Sequence, residues 1–153
     1  IDFPVRVHQG INKELIENYN SKLVEENLLN SANKILVLGI TYLEDVGDIR
    51  FSASEQLINL LLKKELVVDC YDPMINYSTC KGVNVLNNLP DPFDYSIVIL
   101  AVKHSKFKDL NLQNWLVNFA GTLIDSNNIL SKIELDNLKK SGIKVKAIGR
   151  GGL

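Results

Sequence analysis

The sequence lacks most of the features that assign a chain quickly. It has only two cysteines, Cys70 and Cys80, with no metal-ligand spacing around them, so no metal site is expected. Both read as reduced thiols, Cys70 as a small hydrophobe buried in a strand. No apolar run approaches the ~18 residues that a bilayer-spanning helix needs, and no secretory signal opens the chain. A cytoplasmic protein with no membrane partner is expected. Charge of one sign is also missing: 17 Lys+Arg stand against 18 Asp+Glu, a net charge of -1. That excludes nucleic-acid or membrane-surface binding that rests on bulk charge. The first residue is Ile1, not methionine, so a fragment or a processed product is expected.

What is present, 153 residues with 46% hydrophobic and 23% charged, suits one ordinary globular domain with an appendage. The stretch Lys34 to Ser54, KILVLGITYLEDVGDIRFSAS, organises the rest. Ile35 to Leu38 is a short, stiff apolar run with the character of a buried strand. It breaks at Gly39, crosses a polar loop with Asp45, Asp48 and Arg50, and re-enters regular structure at Ser52 or Ser54, either of which is a good N-cap. Leu57, Ile58, Leu60, Leu61 and Leu62 then mark a helix with a broad apolar face. Ligands in open α/β sheets sit on such loops, at the carboxyl ends of strands.

Upstream, Pro4 keeps Phe3 extended. From Val7 to Leu29, Ile11, Leu15, Tyr19 and Leu23 recur on one face of a long helix whose stripe must pack on something, and self-association is expected from it. His8, at the helix start, reads as a solvated or capping histidine, since no Cys or Ser nucleophile motif accompanies it.

Downstream, Val67 to Tyr71 reads as a second strand that closes at Asp72-Pro73. An acid there can bind a ribose hydroxyl in a dinucleotide site, but such sites also need G-x-G-x-x-G. After Gly39 the next glycine is Gly47, so Asp72 is read as a turn-former before proline. Val83 to Leu86 reads as a short edge strand, and Tyr95 to Ala101 as a central strand buried on both faces. That strand runs into a cationic loop, Val102 to Lys108. Leu112 to Phe119 is expected to be a short helix with Trp115 and Leu116 inward, and Thr122 to Asp125 a fifth strand. Ser131 to Ser141 is a helix opened by a Ser131/Glu134 capping box and closed at Gly142. Lys144 to Ile148 is the last strand.

Alternating strands and helices predict an α/β fold, a Rossmann-like doubly wound parallel sheet of order 3-2-1-4-5-6 preceded by the long N-terminal helix. The loops 40–51 and 102–108 then face each other across one crevice at the switch point, with Arg50, Lys103, His104 and Lys106 nearby. Such a crevice suits a phosphate-bearing ligand. On charge alone, the same groups read equally well as ordinary solvated cations.

The segments LGITYLEDVGDIRFSAS, VVDCYDP, FDYSIVILAVKHSKFKDL, GTLIDSNNIL and IKVKAIGR, collinear from Lys34 to Arg150, carry a resemblance. The chain resembles the C-terminal, UDP-sugar-binding domain of the nucleotide-sugar 6-dehydrogenases, which act on UDP-glucose, UDP-N-acetylhexosamines or GDP-mannose. The resemblance implies two parts: residues 1–32 as the family's connecting helix, and residues 33–153 as the Rossmann-like substrate-binding domain. It implies a parent enzyme that oxidises the sugar C6 alcohol to a carboxylate in two NAD-dependent steps, through a thiohemiacetal on a cysteine of the central region. NAD would be held by an N-terminal domain absent here. Neither Cys70 nor Cys80 has a matching context, so this chain alone is expected to be inert, with no catalytic residue of its own. Polysaccharide precursor synthesis and a full-length homodimer are further implications.

Tyr42 matches the aromatic of the family's G-x-x-[YF]-K, with Leu43 in place of the lysine that reaches the substrate. Asp48, Arg50 and Ser52 match D-x-R-x-S, with Asp48 and Arg50 read first as loop-organising partners. Asp125-Ser126-Asn127-Asn128 stands where the family has D-G-R-N, and Arg150 matches the terminal G-R. The resemblance thus makes Tyr42, Leu43, Arg50, Lys103, His104 and Arg150 the substrate-binding candidates. Leu43 and Asn127 favour an alternative, a module of the same fold that has lost its ligand and serves assembly. An unrelated NAD-dependent oxidoreductase domain is disfavoured by the missing glycine fingerprint.

Overall fold

The run Ile-Leu-Val-Leu after Lys34 builds the first strand, β1 (Lys34–Leu38), and all four of these residues are buried. Branched side chains suit a pleated surface that is covered on both faces. The computed structural model describes Ser21, residues 34–50 and residues 52–148. Apart from Ser21, the expected N-terminal helix and the segment 1–32, with His8, lie outside the described residues. So do Phe51 and Arg150.

After β1 come α1 (Ala53–Lys63), β2 (Val67–Tyr71), β3 (Asn84–Leu86), a 3-10 turn (Pro92–Asp94) and β4 (Ile97–Leu100). They are followed by α2 (Ser105–Lys108), α3 (Leu112–Trp115), β5 (Thr122–Asp125), α4 (Lys132–Lys140) and β6 (Lys144–Ala147). The strands pair in the order β3-β2-β1-β4-β5-β6, every pairing parallel. This is the doubly wound, Rossmann-like order expected above.

Side chains alternate between the two faces of each strand. Ile35 and Val37 pack with Leu57, Ile58 and Leu61 of α1. Leu36 and Leu38 face the opposite layer, with Phe107, Leu112, Leu116, Leu135 and Leu138. Of the two candidate caps, Ser52 starts α1: its Oγ accepts from the Glu55 N–H at 3.1 Å and donates to the Ile40 carbonyl. The Ser131/Glu134 capping box starts α4.

Three stretches differ from expectation. The helix at Leu112 stops at Trp115, where the C-cap Leu116 leaves helical geometry (φ -93°, ψ 8°), and Asn118 beyond it takes a left-handed backbone, φ 65°, which keeps the helix from resuming. Leu116 is nevertheless buried, while Trp115 is half-buried with its indole N–H on the Pro90 carbonyl at 3.0 Å. The strand at Tyr95 begins only at Ile97, since the Tyr95 N–H is used to close the preceding turn on Pro92. The cationic loop coils into α2, with Phe107 pinned in the core.

The strands end level: Leu38 aligns with Tyr71 and with Leu100, and Leu100 with Asp125. Gly39, Asp72, Ala101 and Ser126 therefore leave the sheet along one edge. Gly39 has φ +102°, and a Cβ there would lie 2.5 Å from Val102 Cβ and 2.8 Å from Val102 N. Glycine lets the chain leaving β1 pass this close to the chain leaving β4. Gly142 shares the left-handed conformation, φ +87°, but a Cβ there would meet nothing within 4 Å. Gly39→Ala is expected to destabilise the fold by about 2–4 kcal/mol, strain and clash together, and Gly142→Ala by only about 1 kcal/mol from strain alone. Urea unfolding of both variants checks this; equal midpoints would refute the close approach at Gly39.

Candidate functional site

Where β1 ends, the backbone N–H groups of Ile40 and Thr41 have left the strand ladder and need acceptors. Both donate to Asp72 Oδ2, at 2.6 and 3.1 Å. Asp72 Oδ1 accepts the Met74 N–H at 2.7 Å, the turn expected before Pro73. The same Oδ2 lies 2.9 Å from His104 Nε2. Asp72 is 3% exposed and His104 0%, so β2, β1 and β4 are tied at their carboxyl ends by one buried carboxylate and one buried imidazole.

The tautomer of His104 follows from its other nitrogen. Nδ1 accepts the Asp45 N–H at 2.8 Å, so the ring proton sits on Nε2, shared between Asp72 and Thr41 Oγ1 at 3.0 Å. The Thr41 hydroxyl donates onward to the Leu43 carbonyl at 2.9 Å. Asp45 has a left-handed backbone, φ 57°, and its carboxylate accepts the Ser105 N–H at 3.0 Å and the Ser105 hydroxyl at 2.6 Å. These two bonds hold the Asp45 carboxyl below the ordinary carboxylate range.

Farther along the loop, Arg50 Nε lies 3.1 Å from both Asp48 oxygens and its Nη2 2.6 Å from Oδ2. The Arg50 N–H adds a fourth bond to Asp48 at 2.9 Å. Hydrogen bonding from Arg50 holds the Asp48 carboxyl at about 2. The Tyr42 N–H closes the loop on the Asp48 carbonyl at 2.7 Å.

The loops after β1 and β4 do meet, and Thr41, Asp45, His104 and Ser105 bond them to each other directly. Tyr42 and Leu43 are half-buried between the two anchored residues Thr41 and Asp45; burial pushes the Tyr42 phenol up. Lys103 is half-buried beside His104, while Lys106 and Lys108 are exposed. Arg50 is 81% exposed but engaged by Asp48. His104 points inward. At the end of β5, Asp125 accepts the N–H groups of Asn127, Ile129 and Leu130 at 3.2, 2.9 and 2.8 Å, and the Asn127 side chain donates to the Ala101 carbonyl at 3.1 Å.

Reading the sequence singled out neither Thr41 nor Asp45 as site residues, and it gave Asp72 only its turn. An acid closing β2 and a histidine following β4 flank β1 once the order 3-2-1-4 is adopted, and that juxtaposition was the available signal. Both thiols are buried and free, and burial pushes Cys70 up to about 12 and Cys80 above its ordinary value, which disfavours the nucleophilic thiolate. Among the described residues no group of three or more His, Cys, Asp or Glu is placed to hold a metal ion, and no helix is long and apolar enough to cross a membrane.

Burial alone would push the Asp72 carboxyl up, but the bonds from His104, Ile40 and Met74 outweigh it and hold it below the carboxylate range. The ionised form is thus favoured by folding. Its contribution is complete above the carboxyl's unfolded value and is lost as pH falls through its lowered folded value. Asp72→Asn is expected to cost about 3 kcal/mol at neutral pH, the upper end for hydrogen bonds to a charged group, and to flatten the acid limb of the stability profile. Urea unfolding between mildly acidic and neutral pH measures both; an unchanged acid limb would show that the ionised carboxylate does not hold the site.

Comparison with known proteins places this arrangement. Residues 36–132 match the model of the UDP-glucose/GDP-mannose dehydrogenase family, UDP binding domain. The chain is 32% identical over 138 residues to UDP-N-acetyl-D-mannosamine dehydrogenase of Methanococcus vannielii, covering 82% of this chain and 29% of that protein. It is 30% identical over 123 residues to UDP-glucose 6-dehydrogenase of Rickettsia prowazekii, covering 75% and 27%. The crystal structure of NDP-N-acetyl-D-galactosaminuronic acid dehydrogenase from Methanosarcina mazei superposes with a TM-score of 0.68 at 25% identity, over 91% of this chain and 29% of that one. The chain therefore spans about three-tenths of the length of the relatives it matches. With six parallel strands in doubly wound order and a family match across the loops at their carboxyl ends, the chain belongs to the UDP-glucose/GDP-mannose dehydrogenase family, as its UDP binding domain.

Proposed function

We propose that this chain holds the nucleotide of a UDP-sugar for an NAD-dependent 6-dehydrogenase that oxidises the sugar C6 alcohol to a carboxylate. The observation that carries the reading is the loop 40–50, held at the switch point of a sheet that belongs to the UDP-binding family. On this reading Tyr42 and Leu43 line the ligand and Lys103 supplies a cation from the facing loop, while Arg150 is a ligand candidate by its match to the family's terminal G-R alone. Arg50 organises the loop through Asp48 and meets phosphate only by exchanging that partner. His104 acts through the backbone it positions, since both ring nitrogens are used internally.

NAD does not fit the first turn of this sheet. The turn lacks the G-x-G-x-x-G that lets a backbone approach a pyrophosphate, and Asp72, at the position of a ribose-binding acid, is turned inward. The dinucleotide accordingly belongs to another domain of the parent enzyme, as does the catalytic cysteine. The parent enzyme works in the cytoplasm on polysaccharide precursors, as a homodimer. A specific observation keeps a second reading, an assembly module without ligand: Leu43 supplies neither charge nor donor where the family uses lysine.

Calorimetric titration with UDP, UDP-glucose, UDP-N-acetylglucosamine, GDP-mannose and NAD separates these. Uridine nucleotides are expected to bind and NAD to give no heat. Leu43→Lys is expected to strengthen uridine-nucleotide binding by ~1.5–3 kcal/mol, the worth of a charge-assisted bond. Binding of NAD alone would overturn the assignment. Silence from the wild type with binding by Leu43→Lys would favour the assembly reading, and silence from both would mean a half-site that needs the other domains of the parent enzyme.

A further inference from the structure

Asp45 is unusual for an exposed loop residue. Its side chain is 49% exposed, yet its N–H and both carboxylate oxygens bind the chain after β4. Its N–H donates to His104 Nδ1 at 2.8 Å, and its two oxygens accept the Ser105 N–H and hydroxyl at 3.0 and 2.6 Å. It does so from a left-handed backbone, φ 57°, a conformation rare for side-chain-bearing residues and best tolerated by aspartate and asparagine. No strand or helix of its own needs this geometry.

Four residues earlier, Thr41 is fastened to Asp72 and His104. Tyr42, Leu43 and Glu44 are thereby bracketed between two anchored residues, with Thr41 Oγ1 bonded to the Leu43 carbonyl and the Tyr42 N–H to the Asp48 carbonyl. We propose that Asp45 is a positioning residue that latches the ligand loop onto the start of α2 and presets Tyr42 and Leu43 before a nucleotide arrives. This rests on the nucleotide-binding reading given above. A loop ordered in advance spares the ligand the cost of ordering it, which is where preorganisation raises affinity.

Three variants test the latch from both sides. Asp45→Ala removes the carboxylate and the preference for the left-handed backbone. Asp45→Asn keeps that preference, an acceptor for the Ser105 N–H and a polar partner for its hydroxyl. Ser105→Pro removes both donors and leaves Asp45 intact. Proline is tolerated there because Ser105 is the first residue of α2 and His104 before it is extended, φ -63° and ψ 143°.

Amide hydrogen exchange at Tyr42 and residue 45 reads loop order, exchange at Val37 and Leu100 reads the sheet, and UDP affinity reads function. Asp45→Ala and Ser105→Pro are expected to speed loop exchange and to weaken UDP binding by about tenfold each, the scale of one or two ordinary hydrogen bonds, with sheet exchange unchanged. Asp45→Asn is expected to restore both. Unchanged loop exchange in both disruptive variants would overturn the latch, and so would a loosened loop that binds UDP as tightly as before. A wild-type chain that binds no UDP would sink the nucleotide reading alone, and the exchange comparison would still uphold or overturn the latch.

Discussion

One carboxylate oxygen, Asp72 Oδ2, accepts the N–H groups of Ile40 and Thr41 and faces Nε2 of His104. The edge of the sheet where the site lies depends on it. Three strands finish there together, and two of the loops leaving them must turn inside the protein. Each buried N–H left without a partner costs about 1–3 kcal/mol. Asp72 satisfies the first two amides of one loop while binding the side chain of His104, the residue that precedes α2 on the other. The position of the 40–50 loop is therefore set by hydrogen-bond satisfaction, with Gly39 allowing the close passage against Val102 that brings the groups within reach.

The same position in a dinucleotide-binding sheet carries an acid that faces outward to a ribose. Here the acid faces inward and its partner is a histidine of the neighbouring loop. A shared sheet order thus supports two ligand logics, separated by the direction of one side chain and by the glycines of one turn. The cationic character of the crevice is reduced in the same way: Arg50 is matched by Asp48 and His104 is buried, which leaves the lysines of the facing loop, Lys103 half-buried and Lys106 and Lys108 exposed, with Lys108 close enough to Asp45 to help lower its carboxyl.

Other buried carboxylates follow the same rule away from the site. Asp125 collects the amides of the turn after β5. Glu55, in the first turn of α1, takes the Ser78 and Thr79 hydroxyls and the Thr79 N–H, pinning the long connection between β2 and β3. In each case an acid near the end of a regular element supplies acceptors for amides that have no ladder partner.

The strand and helix pattern was legible because it is local. Ile35 to Leu38, Val67 to Tyr71 and the run from Ile97 carry their own periodicity and length, and Ser131 with Glu134 writes its cap within four residues. The strand order followed from the alternation of those elements and the handedness of their connections, and the Asp48–Arg50 pair was visible because its partners lie two residues apart. The roles of Thr41, Asp45, Asp72 and His104 were not legible, since their partners are 31 to 63 residues away and no spacing rule links them. The sequence by itself determined the elements, their order and the family. Which polar side chains turn inward to close the site, and which remain for a ligand, was decided only by the tertiary structure, because a buried donor selects its acceptor by distance in space, not along the chain.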